Sequence, residues 1–471
     1  MTELWKLGAV ELVAGIRDGS FSCVEAMQSV ADRIGDRNGH LNAITVDLRE
    51  AALVEAMAAD DARSKGRELG PLHGVPITIK ENVDVAGQST PNGIPAFADL
   101  VATEDAPLVR NLKQAGAIVV GRTNVPEFSM RATTDNPLRG RTFNPWDDAA
   151  SPGGSSGGAG VSAAAGFGPL HHGNDIGGSL RFPSTANGTC TVKPTTFRVP
   201  VFNSSAAAER GPLSQAMSCQ GLIGREARDV ALGTSVIIGP DPRDPNCAPV
   251  PWAGPDLGSP LTVAVTTESA GYDIHPAIVQ AVDDAASMLA DAGYRIVEVE
   301  PPPIIESARQ WFRAGTTEMQ ATLDPAVRQF GSETIQTIFD WYYDLSELLD
   351  RDQYITAFGH RTRLMREWNV FLAAHPLVLT PFLMRPLFDW DYDASSFEAT
   401  KDLFDSAIYS TGINYLGLPA GVIATGLVEG RPSAVQLVGQ RYREDVICRA
   451  MEAIEERTGS LATQLWAREG S

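Results

Sequence analysis

Two serine-bearing glycine turns constrain this chain more than any other feature. They are Ser151-Pro152-Gly153-Gly154-Ser155-Ser156-Gly157-Gly158 and Gly173-Asn174-Asp175-Ile176-Gly177-Gly178-Ser179. Ser155 and Ser179 stand 24 positions apart. Glycine admits φ angles that other residues avoid, so such turns aim backbone N–H groups at a bound ligand. A hydroxyl inside a nest of free N–H groups gives acyl transfer its nucleophile and its anion-stabilising pocket from one segment. Glycine–serine runs are more often flexible linkers. Here the run leads into Ala159-Gly160-Val161-Ser162-Ala163-Ala164-Ala165, small residues suited to a helix packed closely beneath the turn. No long polar stretch surrounds it, and the linker reading fails.

Composition narrows the partners. A formal charge of −20 disfavours nucleic acid, whose binding rests on basic side chains neutralising phosphates. No apolar run is long enough to span a bilayer, and the N-terminus lacks the basic-then-apolar layout of a signal peptide. Cys23, Cys190, Cys219, Cys247 and Cys448 are scattered and odd in number, with no CxxC or Cys/His cluster. That pattern points to a reducing cytoplasm and gives no support for a metal site. Only Lys6, Lys65, Lys80, Lys113, Lys193 and Lys401 among the 38 basic residues are lysine, so a lysine in an apolar setting stands out.

Along the chain, residues 8–34 and 50–65 read as amphipathic helices. Gly74 to Lys80 reads as a short buried strand ending in a lysine, followed by a helix over 108–115 and an apolar strand over 117–121. This strand–helix–strand order predicts an α/β layout. Helices are expected at 226–238, 275–293 and 443–457, and strands at 261–266, 294–299, 420–423 and 433–438. Pro301-Pro302-Pro303 marks a stiff break. Beyond it the pattern turns helical and aromatic: 16 of the 34 aromatic residues fall within 301–400, so this region is either a substrate pocket or a densely packed core.

Gly153-Gly154-Ser155-Ser156-Gly157 formally matches the G-x-S-x-G elbow of Ser-His-Asp hydrolases. That elbow needs an apolar strand directly before it, and Trp146-Asp147-Asp148-Ala149-Ala150-Ser151-Pro152 is not one. Lysine offers another route, because burial in an apolar site favours the neutral amine that can act as a base. Lys80 follows an apolar strand, though a lysine taken by itself is far more often a surface residue.

The combination is more specific than its parts. Gly74-Val75-Pro76-Ile77-Thr78-Ile79-Lys80-Glu81-Asn82 resembles the lysine motif of the amidase signature family. The two serine turns resemble that family's serine motifs in order and spacing, and the likeness runs from about residue 20 to 460. Further segments resemble it too, among them Phe143-Asn144-Pro145-Trp146, Val192-Lys193-Pro194-Thr195 and Pro432 to Gly439.

The resemblance implies one α/β/α domain over residues 1–471 with a large mixed central sheet, residues 301–400 being its variable part. It implies hydrolysis of a carboxylic amide, with Ser179 as nucleophile, Ser155 in a cis peptide linkage as proton relay, and Lys80 as base. The backbone amides of Ile176, Gly177, Gly178 and Ser179 would form the oxyanion hole, and Ser129 and Met130 would line the substrate site. Asp175, Arg181 and Ser156 would orient the turns. Ser156 is the nearest rival to Ser155, and the spacing to Ser179 favours Ser155. Asn174 stands where the family usually has threonine. No cofactor or metal is implied, the partner is a small-molecule amide, and a homo-oligomer is left open. Two other readings remain: a glutamine-dependent amidotransferase A-type subunit working with a partner, and a non-catalytic binding protein of the same fold.

Overall fold

A computed structural model of the protein describes residues 3–469. Its strands are β1 (Ile44–Asp47), β2 (Pro76–Lys80), β3 (Ile118–Thr123), β4 (Leu170–Asp175), β5 (Cys190–Lys193), β6 (Cys219–Gly224), β7 (Thr262–Val265), β8 (Arg295–Val297), β9 (Leu377–Pro381), β10 (Ala420–Val428) and β11 (Arg431–Gly439). They form one sheet in the order β1-β3-β2-β4-β6-β5-β10-β11-β9-β7-β8. Pairing is parallel for β3/β2, β2/β4, β9/β7 and β7/β8. It is antiparallel for the other neighbours, so the sheet is mixed as expected.

Both faces of the sheet are covered, which follows from the two-residue period of a strand. On β10, Val422 packs in a cluster with Phe182, whereas Ile423 packs in a cluster with Ile447 and Met451. On β6, Leu222 joins Val109 and Ile237, whereas Ile223 joins Ala159 and Ala163. Helices Gly157–Ala165 and Arg181–Asn187 therefore lie on one face. Helices Ala227–Ile237 and Glu444–Thr458 lie on the other.

The small residues after the first serine turn have the packing role expected of them. A Cβ at Gly160 would lie 2.7 Å from Asn187 Nδ2 and 2.9 Å from the Pro183 carbonyl oxygen, so no larger residue fits. The hairpin joining β10 to β11 turns in two residues, Glu429 and Gly430, at φ +52° and +83°. Both values are positive, as a type I′ turn requires.

The N-terminal helix expected over 8–34 is instead two helices, Ala9–Asp18 and Cys23–Leu41. Gly19 ends the first at φ +82°. Ser22 starts the second with a capping box: its hydroxyl accepts from the Glu25 amide at 3.0 Å while Glu25 accepts from the Ser22 amide at 2.7 Å. Strand β10 extends five residues past the expected 420–423, to Val428. Beyond the stiff break come helices Ile304–Thr322, Asp324–Phe330, Glu333–Leu345 and Arg351–Ala374. No described helix is long and apolar enough to cross a membrane.

Candidate active site

Lys80 closes β2. Alternation along that strand places Ile77 and Ile79 in one apolar cluster and leaves Thr78 and Lys80 on the opposite side. The Lys80 side chain is completely buried. Its amine is 2.8 Å from Ser155 Oγ, 3.0 Å from Ser156 Oγ and 2.8 Å from Asn174 Oδ1. Burial holds the amine well below the usual lysine range; Asp175 opposes that shift and Arg210 adds to it. The Gly154–Ser155 peptide bond is cis.

Asn174 and Asp175 end β4, which runs parallel to β2, so both strands deliver their last residues to one edge of the sheet. Asn174 Nδ2 also donates to Asn82 Oδ1 at 2.9 Å, and Asn82 Nδ2 donates to Ser129 Oγ at 2.9 Å. Ser129 in turn donates to Asn92 Oδ1 at 2.6 Å. Ser129 and Phe128 adopt left-handed backbone at φ +59° and +55°, a conformation non-glycine residues rarely hold.

The loop after β4 is built around the buried carboxylate of Asp175. It accepts from the amides of Gly178 at 2.8 Å and Leu180 at 3.1 Å, and from Asn414 Nδ2 at 2.9 Å. Arg181, also fully buried, grips it with Nε at 3.0 Å and Nη2 at 3.1 Å. Burial would raise the Asp175 pKa, but Arg181 first, with Lys193 and Asn414, holds it down to about 2. Because the Gly178 amide is spent on Asp175, three amides of the expected oxyanion hole have no hydrogen-bond partner among the described residues: Ile176, Gly177 and Ser179. Gly178 stands at φ +126°, and a Cβ there would meet Ser410 Oγ at 2.3 Å. Ser179 is half-buried, and its carbonyl accepts from the Ser156 amide at 3.3 Å, which ties the two serine turns together.

Ser179 lines a cavity of about 60 Å³ together with Ser129, Met130, Ile176, Gly177, Phe182, Trp311, Tyr342 and Phe404. The ionic groups at its wall are paired, Arg131 Nη2 to Asp393 Oδ1 at 2.7 Å and Nε to Oδ2 at 3.1 Å. Trp311 and Tyr342 come from the aromatic-rich region, while Phe339, Trp368 and Phe382 of that region are buried core. Of the site residues expected from the sequence, Ser129, Met130, Ile176, Gly177 and Ser179 line this cavity, Lys80 meets Ser155 and Ser156 through its amine, and Asp175 holds Gly178 and Arg181 behind the serine loop. Asn82, Asn92, Ser410, Asn414 and Phe404 were not foreseen; only Asn82 carried a signal, its place beside Lys80 in the lysine motif. Among the described residues no cluster of His, Cys, Asp or Glu is placed to hold a metal ion.

The amidase family model matches residues 25–448. An indoleacetamide hydrolase of Bradyrhizobium diazoefficiens is 45% identical over 98% of this chain and 88% of its own. The A-type subunit of a glutamyl-tRNA(Gln) amidotransferase from Moorella thermoacetica is 31% identical over 97% of each chain. The crystal structure of a bacterial aryl acylamidase of the amidase signature family superposes with a TM-score of 0.83 at 25% identity, covering 98% of both chains. The chain therefore belongs to the amidase signature family, hydrolases of amide carbon–nitrogen bonds.

Proposed function

We propose that this protein hydrolyses the primary amide of an arylacetic acid, the class that includes indoleacetamide, through an acyl-enzyme on Ser179. The contact between a fully buried Lys80 amine and Ser155 Oγ carries this reading. Proton accounting around the amine distinguishes the two neighbouring serines. Ser156 Oγ donates to the Asn174 carbonyl at 3.3 Å, so toward Lys80 it can only accept. Asn174 Oδ1 is an acceptor as well. A neutral amine has two protons to donate, one for each of these, and its lone pair is left for the Ser155 hydroxyl. Ser155 is then free to accept the proton of Ser179.

In acylation the Ser179 oxygen attacks the amide carbonyl while its proton passes to Ser155 and that of Ser155 passes to Lys80. The carbonyl oxygen becomes an oxyanion beside the amides of Ile176, Gly177 and Ser179, each such donor being worth about 3 kcal/mol at a transition state. Collapse breaks the C–N bond, and the proton returns from Lys80 through Ser155 to the departing ammonia. Water repeats the sequence in reverse and releases the acid. The mostly apolar cavity wall and the 45% identical relative both support an aryl group on the acyl side. That relative is closer than the 31% identical amidotransferase chain, which favours a free-standing hydrolase. Five free cysteines suit a reducing cytoplasm as its location.

The test is a panel of amides, anilides, esters and carbamates, with Ser179→Ala as control. Ammonia release from indole-3-acetamide and phenylacetamide that disappears in Ser179→Ala is expected. Turnover of glutamine alone, with none of aryl amides, would overturn the substrate assignment.

A further inference from the structure

The cavity beside Ser179 is too small for the substrate just assigned. About 60 Å³ holds a few waters, whereas pockets that enclose small ligands run to roughly 300–1,000 Å³. One of its walls has to yield. Trp311 is fixed by its N–H, which donates to the Ile176 carbonyl at 2.7 Å. Tyr342 is fixed by its hydroxyl, which donates to the Met130 carbonyl at 3.0 Å. Phe182 is wedged edge-on against Phe382 at 5.0 Å, and its ring fills the space that a Cβ on Gly178 would occupy.

Phe404 has no such anchor. It stands at the end of helix Phe397–Asp405, half-buried, where three apolar clusters meet; its ring makes edge-on contacts with Phe312 at 4.4 Å and Tyr342 at 5.5 Å and a tilted contact with Trp311 at 6.0 Å, and it has no polar atom to tie it down. Next to it lies a second space of about 560 Å³, whose lining combines Ile305, Phe312 and Ile408 with charged side chains such as Arg309 and Lys401. Phe404 is the residue common to the linings of both spaces.

We infer that Phe404 is the specificity-determining partition of this enzyme: its ring turns toward the outer cleft and an aryl group of the acyl chain takes its place beside Ser179. Small acyl groups react with the partition in place, whereas aryl groups need it displaced. The inference rests on Ser179 as nucleophile and deepens the arylacetamide reading.

Phe404→Ala, Phe404→Leu and Phe404→Trp test it, each checked for an unchanged melting profile, with kcat/KM measured on acetamide, phenylacetamide, indole-3-acetamide and 2-naphthylacetamide. The naphthyl-to-acetamide ratio should rise about tenfold in the alanine and leucine variants and fall by about as much in the tryptophan variant. If Phe404→Ala does not fold, the leucine and tryptophan variants carry the same comparison. Equal changes on all four amides would overturn the partition and leave the substrate class standing. No aryl amide turnover by the wild type, with the ratio still responding to the variants on small and medium acyl groups, would overturn the substrate class and leave the partition.

Discussion

The indole N–H of Trp311 donates to the carbonyl of Ile176 at 2.7 Å, so the aromatic-rich region grips the loop that carries Ser179. The same ring covers Gly177, where a Cβ would lie 2.7 Å from Trp311 Cζ2. Trp311→Phe deletes the hydrogen bond together with the part of the ring that lies over Gly177. A stability loss of about 1 kcal/mol for the bond, and more for the space left behind, is expected. Steady-state kinetics should show kcat falling about tenfold with KM little changed, because a misaimed oxyanion donor is felt in the transition state.

Lys80 couples activity to pH. Its folded pKa lies below that of a free lysine, so between the two values the unfolded chain binds the extra proton and stability rises with pH. The buried amine is thus a burden on the fold at neutral pH. Lys80→Met should lose nearly all amidase activity while melting no lower than wild type at pH 7. In the wild type, kcat/KM should climb with pH along a single-proton limb as the amine becomes neutral, and this limb should be absent from the residual activity of Lys80→Met.

Asp175 behaves in the opposite sense. Its pKa is held to about 2, below the unfolded value of 3.8, so its contribution is fully present above 3.8 and is lost as pH falls through about 2. Asp175→Asn leaves the Arg181 charge buried without its counterion. A destabilisation of about 3–5 kcal/mol at pH 7 is expected by chemical denaturation, together with loss of activity.

A second carboxyl, Glu455, lies away from the site. Glu455 accepts from the Ala227 amide at 3.0 Å with one oxygen, while its other oxygen is buried without a partner. Burial, aided by Glu226 and Asp229, pushes its pKa up to about 8. A raised carboxyl stabilises the fold below its unfolded pKa of 4.5, and that gain is lost as pH rises through about 8. Glu455→Gln should therefore raise the melting temperature at pH 9 more than at pH 5, which thermal scans at both values would read directly.

The sequence made the site more legible than the sheet that supports it. Glycine turns, an apolar strand ending in lysine, and fixed spacing between serines are local patterns, and they carry the family resemblance that implied Lys80, Ser155 and Ser179 as one triad. Strand β4, by contrast, reads Leu170-His171-His172-Gly173-Asn174-Asp175 and carries no strand signal. It survives in the core because His171 meets Thr78 Oγ1 at 2.8 Å and the Gly168 carbonyl at 3.0 Å, while His172 meets Gln220 at 2.9 Å. Burial brings both imidazoles down to about 3, so they are neutral. Those partners are 93 and 48 residues away for Thr78 and Gln220, and no local window contains them. Asn414 and Ser410 reach the serine loop across more than 200 residues, for the same reason beyond local reading. The break between the first two helices was readable, since Ser22-Cys23-Val24-Glu25 is a capping-box sequence inside an otherwise continuous amphipathic pattern.

Covalent capture of the nucleophile is the most direct measurement. After treatment with an aryl fluorophosphonate, peptide mapping by mass spectrometry should find a single adduct on Ser179, formed with loss of amidase activity and greatly slowed in Lys80→Met. An adduct on Ser155 or Ser156 instead, or full inactivation with Ser179 unmodified, would contradict the assignment of Ser179 as the attacking residue.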